Sequence, residues 1–543
     1  MKNHRKLHEN RDRRSKLIPY ILFPMVVGIL SGVLIFLFKI ASADVMRRSE
    51  QIYAFVRQNP AYLPLLIPGA AAIGAVSALI LKYAKECRGG GIPTAVASIR
   101  GLIPLKWVQG ITVLFGSALL TYLAGVPLGN EGPSVQMGAA VGKASSHLTG
   151  KNRQAWERYL MTGGACSGFA IATGAPLSGI LFALEEAHRR FSATLFTVAS
   201  ISVLAGTVTH RYLSFFFKVD TTFFDLEITQ ILPMRYLWTA ILVGGACGVC
   251  SLLFTRLYRI ARKGSDASDG KRGFILRIVL IFVITAVLGF LSAHFVGSGH
   301  SLIEAILHRK TVWYAILLAF FVRALLMIFS NCEGVSGGIF VPTLTFGAMI
   351  ASLVSEGLIA LGLIDGQYGT ILIVVGMVSF LAASSRTPIT AIVFAAEALC
   401  VAANIMPVVF GVVVAYLIVE ISGKTSFADT VIERRAQEVR QGRTPMIVDA
   451  CMTVQKNSFA EGMEIREILW PPTCTVLSID RKQSRATHHG GQEVCEGDVL
   501  HLHYQTYTPE ETERALSAIL GDQPEDPLAE THEGSNEHMV PSD

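Results

Sequence analysis

Seven apolar runs of about 20 residues dominate the chain, at 19–40, 62–82, 109–125, 235–255, 274–293, 312–329 and 401–421. Each is long enough to cross a hydrocarbon core of roughly 30 Å as a helix. Lipid offers no partner for backbone N–H and C=O groups, so each crossing segment must pair its own. The runs therefore predict an all-α, multi-span membrane protein. The composition agrees, with 51% hydrophobic and 16% charged residues.

The flanks predict orientation. Residues 1–16, MKNHRKLHENRDRRSK, are strongly basic and should stay cytoplasmic. The apolar run that follows is too long for a signal h-region and has no small-residue cleavage site, so no cleavable signal peptide is evident. ERRAQEVRQGR (433–443) is basic as well and belongs on the same side. Both stretches read as topology signals rather than lipid- or nucleic-acid-binding patches, and no nucleic-acid partner is expected. The expectation is a multi-pass protein of a prokaryotic plasma membrane with both termini cytoplasmic. The net charge of +6 says nothing about a transported ion.

The chain also repeats itself at a spacing of about 210 residues. GNEGPSVQMGA from Gly129 aligns with GIFVPTLTFGA from Gly338. Further on, Gly164, Ser167, Ala170, Pro176, Phe182 and Glu185 fall on Gly376, Ser379, Ala382, Pro388, Phe394 and Glu397. A G-x-G precedes both pairs, Gly89–Gly91 and Gly297–Gly299. A repeat this long is a duplicated half. Such halves usually pack about a pseudo-two-fold axis, with Gly/Pro-interrupted segments at a binding site near the midplane. These residues leave open whether the halves are inverted or parallel.

GGGIPTAV (89–96), GNEGPSV (129–135) and GGIFVPT (337–343) share one grammar: glycines, a proline within the first turn, then a helix-compatible run. That is how a helix starts. Helix starts expose unpaired N–H groups and partial positive charge. Several aimed at one point would hold an anion without a full positive charge, weakly enough to release it. A single such segment would more simply be a packing kink; three, two of them related by the duplication, favour a site. Glu131 sits at one of these starts. An intramembrane acid is a functional candidate: its carboxylate could occupy the anion's place and swing away on protonation. Glu185 has a repeat partner, Glu397, which suggests a structural role. Glu186 aligns with Ala398 and suits a one-sided task such as proton entry.

The nine cysteines read as small core residues, including Cys247 and Cys250 in a CxxC without a partner pair. His488, His489, His501 and His503 give a weak metal hint, and surface histidines on loops and strands explain them more simply. No metal or other cofactor is expected. An intramembrane enzyme would need a second catalytic group near Glu131, and His300 stands alone. A cation transporter is disfavoured because helix starts repel cations and no acid ring or carbonyl filter is visible.

The motifs GGGIP (89–93), GNEGP (129–133), GGIFVP (337–342) and PLSGILFALEEAHRRF resemble the CLC family of chloride channels and proton-coupled anion antiporters. The resemblance runs from about residue 17 to 440. It implies two inverted repeats with broken helices meeting at a central anion site, a homodimer with one pore per subunit, a gating glutamate at Glu131 and an inner proton-relay glutamate at Glu186. Gly90, Gly91, Ile92, Asn130, Gly132, Ile339, Phe340 and Phe427 fall at the implied anion-binding positions. The family usually has a Ser hydroxyl where Gly90 stands, a Tyr where Phe427 stands and an Arg where Asn130 stands. Asn in the last place also resembles the fluoride-exporting branch. The transported ions are therefore expected to be chloride or fluoride together with protons, with passive conduction of chloride as the alternative.

Composition changes after about residue 444. TVLSID (475–480) and DVLHLHY (498–504) alternate as strands, and ETERALSAIL (511–520) reads as a helix. IREILWPPTCTVLSIDR…GDVLHLHY resembles the TrkA-C module of transporters, in that family a small α/β regulatory unit that binds a ligand or dimerises; the sequence names no ligand, and a folded appendage for assembly alone is the simpler reading. The expected layout is a basic segment 1–16, a transport domain 17–440 with halves at about 20–215 and 234–421, a cytoplasmic regulatory domain 446–522, and a disordered acidic tail 523–543.

Overall fold

The computed structural model describes residues 2–219, 223–224, 230–266, 271–481, 484–486, 490–522 and 529–533. Its first sixteen α-helices fall into two runs of eight. The first run is α1 (Lys2–Gln58), α2 (Leu63–Tyr83), α3 (Ile92–Ile99), α4 (Trp107–Leu123), α5 (Glu131–Ser145), α6 (Arg153–Thr173), α7 (Pro176–Phe182) and α8 (Ala193–Phe217). The second is α9 (Leu237–Asp266), α10 (Lys271–Leu291), α11 (His300–Leu307), α12 (Trp313–Glu333), α13 (Phe340–Ala360), α14 (Gly369–Ser385), α15 (Pro388–Ala398) and α16 (Ile405–Ile421). Each run carries its third helix as a stub of eight residues after a G-x-G. Helix α17 (Phe427–Arg440) has no counterpart among the described residues.

Two features fix the relation of the halves. Gly129 and Gly338, cognate residues of the duplication, form an isolated antiparallel bridge. Each donates its N–H to the other's carbonyl, at 2.8 and 2.7 Å. Cognate segments that pair antiparallel run in opposite directions, so the repeats are inverted. The second feature is a reciprocal cap between α7 and α15. Glu397, near the end of α15, accepts from Leu177 N–H, Ser178 N–H and Ser178 Oγ at the start of α7. Glu185, just past α7, accepts from Ile389 N–H, Thr390 N–H and Thr390 Oγ1 at the start of α15. Each carboxylate satisfies orphan donors of the other half.

Among the described residues, nine helices are long and apolar enough to cross a membrane. Three of them escape the apolar runs read from the sequence: Ala193–Phe217, Phe340–Ala360 and Gly366–Ser385, with the lowest mean hydropathies of the nine, 1.4, 1.5 and 1.8. The last two are 67% and 89% buried inside the protein. They face other helices rather than lipid, and close helix packing selects small residues over large apolar ones. A Cβ on Gly138 (α5) would clash with the carbonyl of Gly164 (α6), and one on Gly347 (α13) with that of Gly376 (α14). These four glycines are the ones the duplication aligns.

After α17 the chain enters a smaller unit of strands β1 (Met446–Thr453), β2 (Thr475–Arg481), β3 (Ser484–Ala486) and β4 (Val499–Thr506), helix α18 (Pro509–Leu520) and strand β5 (Ala529–Glu533). The strands form one antiparallel sheet in the order β3-β2-β4-β1-β5. Alternate residues Val448, Ala450 and Met452 of β1 and Leu500, Leu502 and Tyr504 of β4 are buried, against Leu516 and Ile519 of α18. His501 and His503 lie on the other face of β4, paired with Asp480 and Asp449; His488 and His489 fall outside the described residues. Of the tail expected to be disordered, Ala529–Glu533 pair with β1, a correction for those five residues; the rest lies outside the described residues.

This unit packs on the helical part through Phe459, which meets Trp156 and Tyr159, and is hydrogen-bonded to it along the strip Glu467–Trp470. Arg158 of α6 donates to the carbonyls of Leu469 and Trp470, and Arg190 to that of Ile468. Tyr159 Oη donates to the Glu467 carbonyl and accepts from Leu469 N–H. The Glu467 carboxylate accepts from Ser192 Oγ and from the N–H groups of Ala193 and Thr194, capping α8.

Candidate functional site

Three broken-helix starts meet at one point. A Cβ on Gly132 would stand 2.6 Å from Gly338 Cα and 2.7 Å from Gly91 Cα. Any side chain there would push the starts of α3, α5 and α13 apart, so the glycines are what let the three backbones touch. Among the described residues, no hydrogen bond of normal geometry is donated by the N–H groups of Gly91, Ile92, Glu131, Gly132, Phe340 or Val341. Buried backbone donors without partners are rare and costly. Gathered from three helices, they make a positively polarised cradle.

Glu131 occupies the cradle. It is fully buried, and neither carboxylate oxygen has a hydrogen-bond partner. Its side chain folds back over Gly129, leaving no room for a Cβ there. The amides of Glu131 itself and of Val341 are near enough to act on it electrostatically, as is the ammonium of Lys39. Tyr122 Oη donates to the Gly129 carbonyl at 2.8 Å, so that carbonyl holds both the Gly338 amide and a phenol. Phe340 is buried edge-on between Phe169 and Phe394.

The fourth helix start, that of α11, departs from the pattern. A Cβ on Gly299, before α11, would collide with Thr345 Oγ1 and lie 3.1 Å from Arg323 Nη2. Arg323 is buried and spends its donors on the carbonyls of His294, Val296 and Gly297. The α11 start is thus locked by an arginine, whereas its cognate at α3 opens on the cradle.

Glu186 lies in a π-helical turn, Ala183–Ala187, that continues α7. It is buried, and its carbonyl accepts from Arg100 Nη2 at 2.8 Å, with Ala187 O accepting from Arg100 Nε. Arg100, the Arg189–Asp429 ion pair and Glu185 are the charges that act on it. A cavity of about 820 Å³ lies at the far end of α8, lined by Lys39, Gly174, His210, Arg211 and Lys218. The start of α8 is held by Glu467, and 25 helical residues span about 37 Å, so this cavity opens on the face opposite the C-terminal unit.

Residues 69–420 match the model of the voltage gated chloride channel family. The chain belongs to that family. Relatives similar to it include the H(+)/Cl(-) exchange transporters ClcA of Yersinia pestis bv. Antiqua (strain Angola), 28% identical over 450 residues, and of Yersinia pseudotuberculosis serotype IB (strain PB1/+), 28% identical over 451 residues. Both alignments cover 81% of this chain and 92% of the relative. The voltage gated chloride channel fold is also seen in solved structures. A slow cyanobacterial Cl-/H+ antiporter superposes with a TM-score of 0.69 at 23% identity, covering 78% of this chain and 99% of that one. A CLC-type fluoride/proton antiporter superposes with a TM-score of 0.60 at 20% identity, covering 74% and 95%.

Within this family frame, the structure brings Gly91, Ile92, Glu131, Gly132 and Phe340 to the meeting point, with Ile339 as the cap residue before α13. Gly90 is adjacent, but a Cβ there would press into Leu114 Cδ1 of α4, with Gln136 Oε1 at 3.4 Å. Asn130 turns its amide to Ser42 of α1 at 2.9 Å. Phe427 packs edge-to-face on Phe254 and Tyr258. Gly338 was not among the candidates read from the sequence, although its alignment with Gly129 pointed to it. Lys39 and Tyr122 carried no signal: one is a basic residue at the end of an apolar run, the other one tyrosine of many.

Proposed function

We propose that the protein is a secondary-active transporter that exchanges a small halide for protons. The observation that carries this is the partnerless, buried Glu131 carboxylate seated among unpaired amides of three helix starts. A carboxylate and a halide are both monovalent acceptors, so they compete for the same donors. Protonation removes the charge that holds Glu131 in place, frees the seat and carries a proton with the side chain. Glu131 is therefore assigned as gate and proton carrier, and Glu186 as the proton's entry group from the side bearing the C-terminal unit. Gly90, Gly91, Ile92, Asn130, Gly132, Ile339, Phe340 and Phe427 are assigned to the anion path, with backbone amides rather than hydroxyls as ligands.

The relatives described as H(+)/Cl(-) exchange transporters support this reading. Asn130 in place of the family's usual Arg, with Gly90 in place of Ser, supports a second one, fluoride as the exchanged ion. Residues 17–440 would form the transport domain of a homodimer, with both termini cytoplasmic. The 446–522 unit would act as a TrkA-C-like regulatory domain.

The test is a flux assay in proteoliposomes with chloride, fluoride, nitrate and bromide under an imposed pH gradient. Uphill anion movement driven by protons is expected, and flux that only runs down the anion's own gradient would mark a passive channel. Glu131→Gln should abolish proton coupling while anion flux persists; a variant that still pumps protons would refute the role given to Glu131.

A further inference from the structure

Strand β4 sets two histidines on the face of the sheet turned away from α18, and what each meets on β1 differs. In the antiparallel register His503 lies opposite Asp449, and His501 lies opposite Cys451. Cys451 Sγ is 3.1 Å from His501 Nδ1, and His501 Nε2 is 2.9 Å from Asp480 Oδ2 of β2. A thiol, an imidazole and a carboxylate therefore stand in line across three strands.

That line fixes where the protons sit. A carboxylate only accepts, so the hydrogen of the neutral ring is on Nε2 and the lone pair of Nδ1 faces the sulfur. The thiol proton can pass to Nδ1, leaving a thiolate beside an imidazolium that Asp480 holds in place. A nucleophile within reach of a base, with the base oriented by a third group, is the arrangement that activates a thiol. The two ring nitrogens point apart, so the sulfur and the carboxylate cannot share one ion. Among the described residues there is no cluster that could hold a metal. The group is also within reach of solvent: the side chains of His501 and Asp480 are 25% and 37% exposed, and Cys451 is half-buried. Other cysteines are placed differently. Cys87, Cys166, Cys247 and Cys332 are buried among the helices, and in the sheet unit burial pushes the Cys474 thiol up to about 12.

We propose that Cys451 is a site of reversible thiol modification, activated by His501 and Asp480, that exchanges with low-molecular-weight disulfides. The Cys451 thiolate attacks one sulfur of the disulfide. A new S–S bond forms to Cys451 as the original one breaks, and the departing thiolate takes the proton from the His501 imidazolium. One disulfide and one thiol enter, and one disulfide and one thiol leave, so no further oxidant is needed. Cys451 is the reacting group and His501 its base; Asp480 acts through His501 as a positioning residue. This site is independent of the transport reading.

The test incubates the purified full-length chain with glutathione disulfide at pH 7 and follows each cysteine by peptide mass spectrometry. An ordinary thiol is only a few per cent thiolate at that pH, and nucleophilicity falls as the thiol becomes more acidic. Cys451 should therefore form its mixed disulfide about tenfold faster than the exposed Cys400. His501→Gln should slow Cys451 by about the same factor and leave Cys400 unchanged. If the histidine merely covered the sulfur, its replacement would speed the reaction. Asp480→Asn should slow Cys451 about threefold, and Asp480→Glu, which keeps the acceptor, should recover most of that rate. A wild-type Cys451 no faster than Cys400 would overturn the proposal without any variant. So would a His501→Gln rate equal to or above wild type, or an Asp480→Asn loss that glutamate does not recover.

Discussion

Gly90 concentrates the question of how the proposed anion path would work without hydroxyls. Restoring a serine looks like a simple gain of one ligand, yet the backbone aims the new Cβ at Leu114 and Gln136 rather than at the meeting point of the helix starts. Gln136 is fully buried, with Oε1 unpaired and Nε2 donated to Glu86 O. A hydroxyl at position 90 would find that oxygen first. Gly90→Ser alone is therefore expected to leave chloride affinity within about twofold of wild type, because the hydroxyl is spent on a neutral partner. Gly90→Ser with Gln136→Leu removes that acceptor and should tighten chloride binding by up to about tenfold. Calorimetry on both variants checks this; an equal gain in the single and double variants would mean that the hydroxyl reaches the anion unaided. Glu131 itself was legible in the sequence because an acid boxed in by glycine and proline in an apolar chain has few structural uses. Lys39 was not, since its nearness to Glu131 depends on how α1 packs across the fold.

At the level of elements, the duplication made the architecture legible where hydropathy did not. Helices α13 and α14 are too rich in small residues to stand out as spans, but their glycines align with those of α5 and α6. In each half the aligned pair turns out to be the helix crossing. Gly347→Ala should cost about 1–3 kcal/mol through the contact with Gly376 O, read as a lower thermal midpoint in detergent. Gly357, on the same helix with open space around it, should accept alanine without loss. Equal effects at the two positions would contradict the close-crossing account. The reciprocal caps give a sharper symmetry test. Glu185→Gln and Glu397→Gln each weaken charge-assisted bonds to one helix start, and each should cost about 1 kcal/mol. A large effect at one site with none at the other would show that only one half depends on its cap. The sequence alignment singled out this pair, but which donors each carboxylate serves became clear only once α7 and α15 were seen to lie antiparallel.

Across the whole molecule, the Glu467–Trp470 strip joins the sheet unit to the surroundings of Glu186. Arg158 holds Leu469 and Trp470 on one side and the carbonyls of Ile99 and Arg100 on the other. Arg100 in turn holds the carbonyl of Glu186. The strip's other anchor, Glu467, titrates in a way that can be followed. Burial alone would raise its carboxyl, but hydrogen bonds from Ser192 and from the N–H groups of Thr194 and Ala193 outweigh that and hold it below the usual carboxylate range. In Asp498, within the sheet unit, burial is likewise outweighed, by Arg481 and the Cys495 N–H. A carboxyl lowered by folding contributes stability that is complete above its unfolded pKa, about 4, and that fades as pH falls through the folded value. The clamp should therefore be closed at pH 7 and 5 and loosen below about pH 4. Hydrogen–deuterium exchange, corrected for intrinsic rate, should show the amides of Ala193 to Leu195 losing protection in that window. Glu467→Gln should lose most of this pH dependence while keeping the fold of the sheet unit. Protection that instead falls as pH rises would mean that a basic group, not Glu467, governs the contact.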